Sequence, residues 1–303
     1  MKLQLQTHNG RQSTLRVAKL LTVLGMAGAS LVACGGASAS PPAKKSTQLP
    51  QLLKQVASSH KLIIGTSNDA PWSYITSSGQ AEGVIPAILR DFLAAEHIKA
   101  TIDSIAMPFG SLIPSIQSGR IEMVGDAMYD TSVRAQVISF TRIMFWNPPS
   151  LVTGKGNPLH ITALAGFCGH SVGSYEGTTY VDSLNAAAKT CPSGKKMSVV
   201  VLPTVQDVIA DIASGRLTGG LFDSSIASYA LHVNPSLKMT IVSSWVAADK
   251  ASDKNALGVA KNNASVLPLF NKVFAKLLQN GTIAKIFTAN GLKPANTWLT
   301  LKG

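Results

Sequence analysis

The sequence is short of cysteine, acidic residues and aromatic residues. Of its 303 residues, 3 are cysteines, 15 are Asp or Glu, and 6% are aromatic. The 27 Lys and Arg residues are scattered along the chain without a basic block, which argues against nucleic-acid binding. No apolar run reaches the roughly 20 residues of a membrane-spanning helix. Neither Cys168 nor Cys191 has a second Cys or His near it at the spacing of metal ligands. We therefore expect no nucleic-acid partner, no membrane span, no metal and no cofactor.

The first 33 residues have the pattern of an export signal. Four basic residues precede a short apolar run over residues 20–30: Lys2, Arg11, Arg16 and Lys19. The run ends in small residues before Cys34, which resembles the lipobox of bacterial lipoproteins, where the cysteine is lipidated and becomes the mature N-terminus. That resemblance implies an exported protein anchored to a membrane at Cys34. The alternative is an ordinary signal peptide with an incidental cysteine.

Residues 34–58 are predicted to be a flexible tether. Their first part is dominated by small residues, two prolines and the pair Lys44-Lys45, a composition that cannot bury a core. About 250 residues follow, which is enough for two lobes of ordinary size.

Two cysteines remain once Cys34 is assigned to the signal. In an exported protein an even remainder favours a disulfide, here between Cys168 and Cys191. A loop of that size would contribute roughly 3 kcal/mol in the chain-entropy model. Two separate buried thiols are the alternative.

Strand and helix patterns alternate through the chain, pause near residue 150, and then restart. Helix spacing is clear over residues 85–96, for example, between buried-strand patterns at 61–66 and 100–105. The segment IQSGRI at 116–121 has a counterpart, IASGRL, at 212–217. This indicates an α/β protein of two similar lobes, each a mainly parallel sheet flanked by helices, joined by two crossing strands that form a hinge. We place lobe 1 at 59–152 and 259–303, and lobe 2 at 153–258.

The stretch Ile121–Phe140 presents ligand-binding chemistry. An apolar strand opens into a loop, and a short helix then begins near Thr131, with Arg134 one turn inside it. A helix start favours an anion, and an arginine can grip a carboxylate with two parallel hydrogen bonds. The loop Asp69–Trp72 also follows a strand, so both loops should face one cleft. The alternative is a helix capped by Thr131 with a solvated arginine.

Several motifs together resemble the family 3 extracellular solute-binding proteins, the amino-acid receptors of ABC importers. The matching segments are LIIGT at 62–66, APW at 70–72, FGSLIPSIQSGRIE at 109–122, TSVR at 131–134, VISFT at 137–141, GTT at 177–179, 215–223 and NGTIAKI at 280–286. The order and spacing of these segments carry the resemblance. It implies the type II periplasmic-binding-protein fold.

The resemblance also implies a set of ligand-binding residues: Asp69, Trp72, Met128, Tyr129, Arg134, Thr178, Thr179 and Asp223. Arg134 would hold the ligand α-carboxylate, helped by the backbone at Met128 and Tyr129 and by the Thr178-Thr179 segment. Asp223 would accept hydrogen bonds from the α-ammonium, and Trp72 would form an apolar wall against the ligand side chain. Taken alone, Asp223 could equally cap the following helix.

Asp69 departs from the family pattern, which usually has an aromatic residue there. It would pair with a cationic side chain or a quaternary amine, with Trp72 adding a cation–π contact. It could equally be a solvated turn residue.

The function implied is that of a monomeric substrate-binding component without catalytic residues. It would deliver an amino acid or a related amine-carboxylate to a membrane permease. Two alternatives remain. One is an enzyme on the same scaffold, similar to cyclohexadienyl or arogenate dehydratases, with Asp69, Asp126 or Glu176 as the acid or base. The other is a ligand-sensing partner of a receptor.

Overall fold

The computed structural model describes residues 48–247 and 254–292. The predicted export signal, the lipidation site Cys34 and the first part of the predicted tether lie outside these residues. Within the described ranges, every helix is too short or too polar to cross a bilayer.

Strands and helices alternate as predicted. The strands are β1 (Lys61–Thr66), β2 (Tyr74–Ile75), β3 (Ala81–Glu82), β4 (Thr101–Ala106), β5 (Met123–Val124), β6 (Met128–Tyr129), β7 (Ile138–Phe140), β8 (Phe145–Trp146), β9 (Pro149–Gly154), β10 (Ser171–Tyr175), β11 (Ser198–Leu202), β12 (Gly219–Asp223), β13 (Met239–Ile241), β14 (Lys254–Ala256) and β15 (Gly258–Ala260). The helices are α1 (Gln51–Ser59), α2 (Val84–Ala95), α3 (Leu112–Gln117), α4 (Ser132–Val137), α5 (Thr179–Ala188), α6 (Val205–Ser214), α7 (Ser224–Val233), α8 (Leu267–Gln279) and α9 (Thr282–Ala289).

Two five-stranded sheets repeat one design. The first has the order β4-β1-β5-β15-β7, and the second has the order β11-β10-β12-β9-β13. In each, three parallel strands are followed by an antiparallel strand, β15 or β9. We call the first sheet with its helices lobe 1 and the second lobe 2. The predicted α/β fold with mainly parallel sheets is confirmed, while the predicted lobe boundaries stay a prediction.

The predicted flexible tether over residues 34–58 is wrong at its C-terminal end. Residues 51–58, assigned to the flexible tether, lie in helix α1. Leu52, Leu53 and Val56 fall on one face of this helix and are buried in the main hydrophobic core. Their spacing is that of an amphipathic helix, and packing of the apolar face against the core stabilises this helix.

Cys168 and Cys191 form the predicted disulfide, with their Cα atoms 5.5 Å apart. The bond ties the segment before β10 to the end of α5. It therefore closes a loop around the part of lobe 2 that carries Thr178 and Thr179.

Candidate functional site

The candidate site lies where strands of both lobes end. The loops after β5 and β10 and the end of β12 meet around one small cavity of about 10 Å³. The residues that line it are Phe109, Ala127, Tyr129, Arg134, Tyr175, Thr178, Thr179, Tyr180 and Asp223. Because parallel strands present their carboxyl ends at one edge of a sheet, residues far apart in sequence converge here.

Arg134 is held by backbone carbonyls from both lobes. Thr131 caps α4 by accepting a hydrogen bond from the Arg134 amide at 3.3 Å, so the cap that the alternative interpretation expected is present. Arg134 is only 8% exposed, so the solvated arginine of that alternative is wrong. Its Nη1 donates to Tyr129 O at 3.0 Å and its Nη2 to Gly177 O at 2.9 Å, while Cζ lies 5.3 Å from the ring centre of Phe109. Two of the five guanidinium N–H groups are used in these bonds, and the cation faces the cavity.

Asp223 faces the same cavity from the other lobe. It is the last residue of β12 and directly precedes α7, but its side chain makes no cap hydrogen bond, so the capping alternative is wrong. The carboxyl group instead accepts from Tyr180 Oη at 2.8 Å, Tyr175 Oη at 3.0 Å and Asn147 Nδ2. These donors lie in α5, in β10 and in the segment between β8 and β9.

The hydroxyl groups around Asp223 are short of protons. Tyr129 Oη contacts both Asn147 O and Tyr180 Oη at 2.7 Å, and Tyr180 Oη contacts Asp223. The hydroxyl groups of Tyr129 and Tyr180 thus have two protons for three hydrogen bonds. A proton on the carboxyl group of Asp223 would supply the missing donor. Burial raises the pKa of Asp223 to about 7, and the hydrogen bonds from Tyr180 and Tyr175 oppose that rise.

A pair of buried acids, Asp69 and Asp126, lies in lobe 1. The hydroxyl of Ser67 contacts Asp69 Oδ2 at 2.7 Å and also contacts Asp126 Oδ2. Asp69 is only 2% exposed, so its interpretation as a solvated turn residue is wrong. Burial and the neighbouring Asp126 raise the pKa of Asp69 well above its usual value, and burial raises the pKa of Asp126 to about 6. Within residues 48–247 and 254–292, no three His, Cys, Asp or Glu side chains are grouped to hold a metal.

Three of the predicted ligand contacts lie off the cavity. Trp72 is fully buried and stacks on Phe145 with ring centres 4.2 Å apart, while its Nε1 donates to Ser225 Oγ at 2.7 Å. Met128 lines a neighbouring groove that shares Arg134 with the cavity, and Asp69 is also absent from the cavity lining. Tyr129, Arg134, Thr178, Thr179 and Asp223 do line the cavity, and their ligand roles stay predictions.

Sequence reasoning did not assign a ligand role to Phe109, Tyr175 or Tyr180, which line the cavity, nor to Asn147 behind it. Tyr175 is the last residue of β10, as Asp223 is of β12, and a position at the end of a strand is the signal that could have identified it. Tyr180 directly follows the Gly-Thr-Thr segment. Asn147 carries no local signal, because its role depends on an approach between segments 76 positions apart.

Raising the pH from about 5 to 8 is expected to lower the unfolding temperature of the ligand-free protein. An acid whose pKa is higher in the folded state binds more protons there than when unfolded, so its stabilising contribution is complete below about pH 4. For Asp126 and Asp223 that contribution is lost as the pH rises through about 6 and 7. Thermal unfolding followed at several pH values measures the slope, and Asp223→Asn should flatten it.

The matched control is Asp103→Asn. Asp103 pairs with Lys61 at the surface, and hydrogen bonds from Lys61 and Thr101 lower its pKa, so it stays ionised throughout this range. Its replacement should leave the slope unchanged. A wild-type unfolding temperature that is constant or rises from pH 5 to 8 would contradict the prediction.

Comparison with known proteins adds to this geometry. Residues 62–291 match the family model for bacterial extracellular solute-binding proteins, family 3. The chain is 28% identical over 226 residues to the lysine/arginine/ornithine-binding periplasmic protein of Escherichia coli (strain K12), covering 74% of this chain and 84% of that protein.

Two solved structures share the fold. An ancestral arginine-binding protein bound to arginine superposes with a TM-score of 0.67 at 22% identity, covering 76% of this chain and 98% of that one. An ancestral amino-acid-binding protein, a precursor of cyclohexadienyl dehydratase, has a TM-score of 0.67 at 16% identity, covering 78% of this chain and 98% of that one. The match to the family model over residues 62–291 confirms the family resemblance predicted from the sequence motifs, and the two structures confirm the fold.

Proposed function

This chain belongs to the bacterial extracellular solute-binding proteins of family 3, and from that premise we propose that it captures a small amine-carboxylate for an ABC importer. The observation that carries the proposal is that Arg134 and Asp223, both nearly buried, line the same cavity. A cation and an acid at a fixed separation select a ligand that carries both opposite charges. In a site with little water, each of the two pairings is stronger than it would be in solution.

Ligand capture is coupled to closure of the lobes. The lobes already touch through direct hydrogen bonds, from Trp72 Nε1 to Ser225 Oγ at 2.7 Å and from Gln206 Nε2 to Asn68 O at 2.9 Å. A ligand held by Arg134 and Asp223 adds contacts that exist only when the lobes are together. It therefore shifts the population toward the closed form.

The remaining parts of the proposal concern location and partners. The protein is exported and anchored at Cys34, it hands its ligand to a membrane permease, and it performs no catalysis. Support comes from the export pattern and from the relative that is named for amino-acid binding. The three candidate acids or bases of the enzyme alternative, Asp69, Asp126 and Glu176, are not among the residues that line the cavity, and Asp69 and Asp126 contact Ser67 instead.

Titration calorimetry on the purified protein tests the proposal. Each amine-carboxylate in a panel is compared with two matched analogues, one lacking the amine and one with the carboxylate esterified. We expect one binding site, saturable only by compounds that retain both groups. Failure of every amine-carboxylate to bind, or equal binding of the analogues, would overturn the proposal.

A further inference from the structure

A chain of hydrogen bonds leads from lobe 1 to the acid of the cavity. Trp72 Nε1 lies 2.7 Å from Ser225 Oγ, and Ser225 Oγ lies 2.9 Å from Asn147 Oδ1. On its other side, Asn147 contacts Asp223 Oδ1 through Nδ2. All four side chains are buried, so these bonds form where bulk water is excluded. We call this chain, from Trp72 through Ser225 and Asn147 to Asp223, the relay.

The chemistry of its members gives the relay one direction. An indole N–H can only donate a hydrogen bond, and a serine hydroxyl carries a single proton. Ser225 Oγ therefore accepts from Trp72 and donates its own proton to the amide oxygen of Asn147. Because that oxygen is turned toward Ser225, the amide nitrogen of Asn147 faces Asp223, and a charged carboxylate accepts its N–H.

The relay helps to decide which oxygen of Asp223 stays open. Asn147 Nδ2 and Tyr180 Oη both contact Oδ1, whereas Tyr175 Oη contacts Oδ2 at 3.0 Å. Each oxygen of a carboxylate offers about two acceptor positions, so Oδ1 is fully used and Oδ2 keeps one. The remaining acceptor position of this cavity-lining acid therefore lies on a single oxygen.

The two ends of the relay belong to different lobes. Trp72 follows β1 of lobe 1, and its ring is held by stacking on Phe145 and by the edge of Phe287. Ser225 lies in the first turn of α7 in lobe 2, two residues after Asp223. Separation of the lobes would pull Trp72 away from Ser225. The relay is therefore complete only when the lobes are together.

We propose that Ser225 and Asn147 are positioning residues: they orient Asp223 for a ligand ammonium when the lobes come together. This inference rests on the proposed function and adds to it how closure prepares the acid. Without the Ser225 hydroxyl, the amide of Asn147 is free to turn over and present its oxygen to Asp223. An amide oxygen accepts from a protonated acid and repels a charged one, so Asp223 would keep its proton and lose the ammonium.

Removal of the Ser225 hydroxyl tests the inference. Titration calorimetry on the full protein compares the wild type with Ser225→Ala from about pH 5.5 to 8.5, and the probes are the twenty common L-amino acids. For each amino acid that binds, we expect Ser225→Ala to have about tenfold lower affinity at pH 7, which is the loss of one hydrogen bond to a charged group. The affinity should recover toward pH 8.5, because Asp223 then gives up its proton.

The comparison isolates the relay from the other charges near Asp223. Burial already raises the pKa of Asp223 to about 7, and loss of a donor would raise that pKa further. The other titratable groups whose charges act on or contact Asp223 are the same in both proteins: Asp69, Asp126, Arg134, Tyr175 and Tyr180. The difference between the two pH profiles is therefore due to the Ser225 hydroxyl.

Ser224→Ala is the matched control. Ser224 precedes Ser225 in the same turn of α7, and its buried hydroxyl has no hydrogen-bond partner among the described residues. Its replacement should leave the affinity unchanged at every pH.

Trp72→Phe breaks the relay from its other end and keeps an aromatic ring against Phe145. It should reproduce the pH-dependent loss of Ser225→Ala. Because both changes break the same chain, the double variant should lose no more affinity than either single variant. Circular dichroism confirms that the variants are folded.

The outcomes separate this inference from the proposed function. Binding of amino acids to the wild type, with an unchanged affinity in Ser225→Ala, would overturn the relay and leave the proposed function standing. A loss of equal size at every pH would also overturn it, since Ser225 would then only support the contact between the lobes. Binding of none of the amino acids to the wild type overturns both.

Discussion

Replacing Arg134 with glutamine is expected to weaken ligand binding by at least about 100-fold. A hydrogen bond to a charged group is worth about 1.5–3 kcal/mol, and a two-pronged grip on a carboxylate loses two of them. That sum corresponds to a factor of 100 or more in affinity. The guanidinium is buried over Phe109 and positioned by Tyr129 O and Gly177 O, so no solvated side chain can take its place.

Two further variants make the Arg134 experiment specific. Arg134→Lys keeps the charge but lacks the planar fork, so its affinity should lie between that of the wild type and that of the glutamine variant. Arg120→Gln removes an exposed arginine from the same lobe and should leave affinity unchanged. Calorimetry measures all three, with circular dichroism to confirm folding. An Arg134→Gln variant that binds within threefold of wild type would remove the basis for the proposed carboxylate site.

Replacing Gly177 with alanine is expected to block closure of the lobes. A methyl group on Gly177 would clash with Gly110 Cα and come within 2.8 Å of Gly110 N, which is backbone of the opposite lobe. Backbone cannot swing aside as a long side chain can, so the lobes must stay further apart. The contacts of Arg134 with Gly177 O and of the ligand with both lobes are then lost together, and affinity should fall at least tenfold.

The chain offers matched controls for Gly177→Ala. Gly177 has a φ of +76°, where any side chain is strained, and Gly215 has nearly the same φ of +80° with nothing within 4 Å of its added methyl group. Gly215→Ala therefore carries the strain without the clash and should bind normally. Gly110→Ala should also be mild, since its methyl group would meet its neighbours only at 3.5–3.6 Å.

Small-angle scattering supplies the second measurement for closure. The wild type, Gly215→Ala and Gly110→Ala should contract when a saturating ligand is added, and Gly177→Ala should not. Contraction of Gly177→Ala to wild-type dimensions would show that the approach of Gly110 and Gly177 does not limit closure.

Local patterns predicted the secondary structure well because each pattern has a local cause. Apolar runs of strand length became β1 and β12, and the helix spacing over 85–96 became α2. The predictions failed where the determining contact was distant in sequence. Residues 51–58 were included in the tether although Leu52, Leu53 and Val56 have helical spacing, and the core that buries this apolar face is formed by residues far along the chain.

Local patterns also placed some residues of the candidate site correctly and failed for others. Arg134 follows a helix cap, Asp223 ends a strand, and both lie on the cavity as the motifs indicated. Trp72 and Asp69 occupy the expected loop but are turned into the lobe contact and into the Ser67 cluster. No local pattern specifies which way a loop side chain points, because that depends on the lobe that closes over it.

By itself, the sequence determined the α/β fold and the family of solute-binding proteins, and it singled out Arg134 and Asp223 as candidate ligand residues, because periodicity, caps and motif order are properties of short segments. Only the tertiary structure decided what surrounds that pair. Tyr175, Tyr180 and Asn147 take up most of the acceptor positions of Asp223, and Phe109 stacks under Arg134. These contacts join segments tens of residues apart, and their geometry is set by how the two lobes pack against each other.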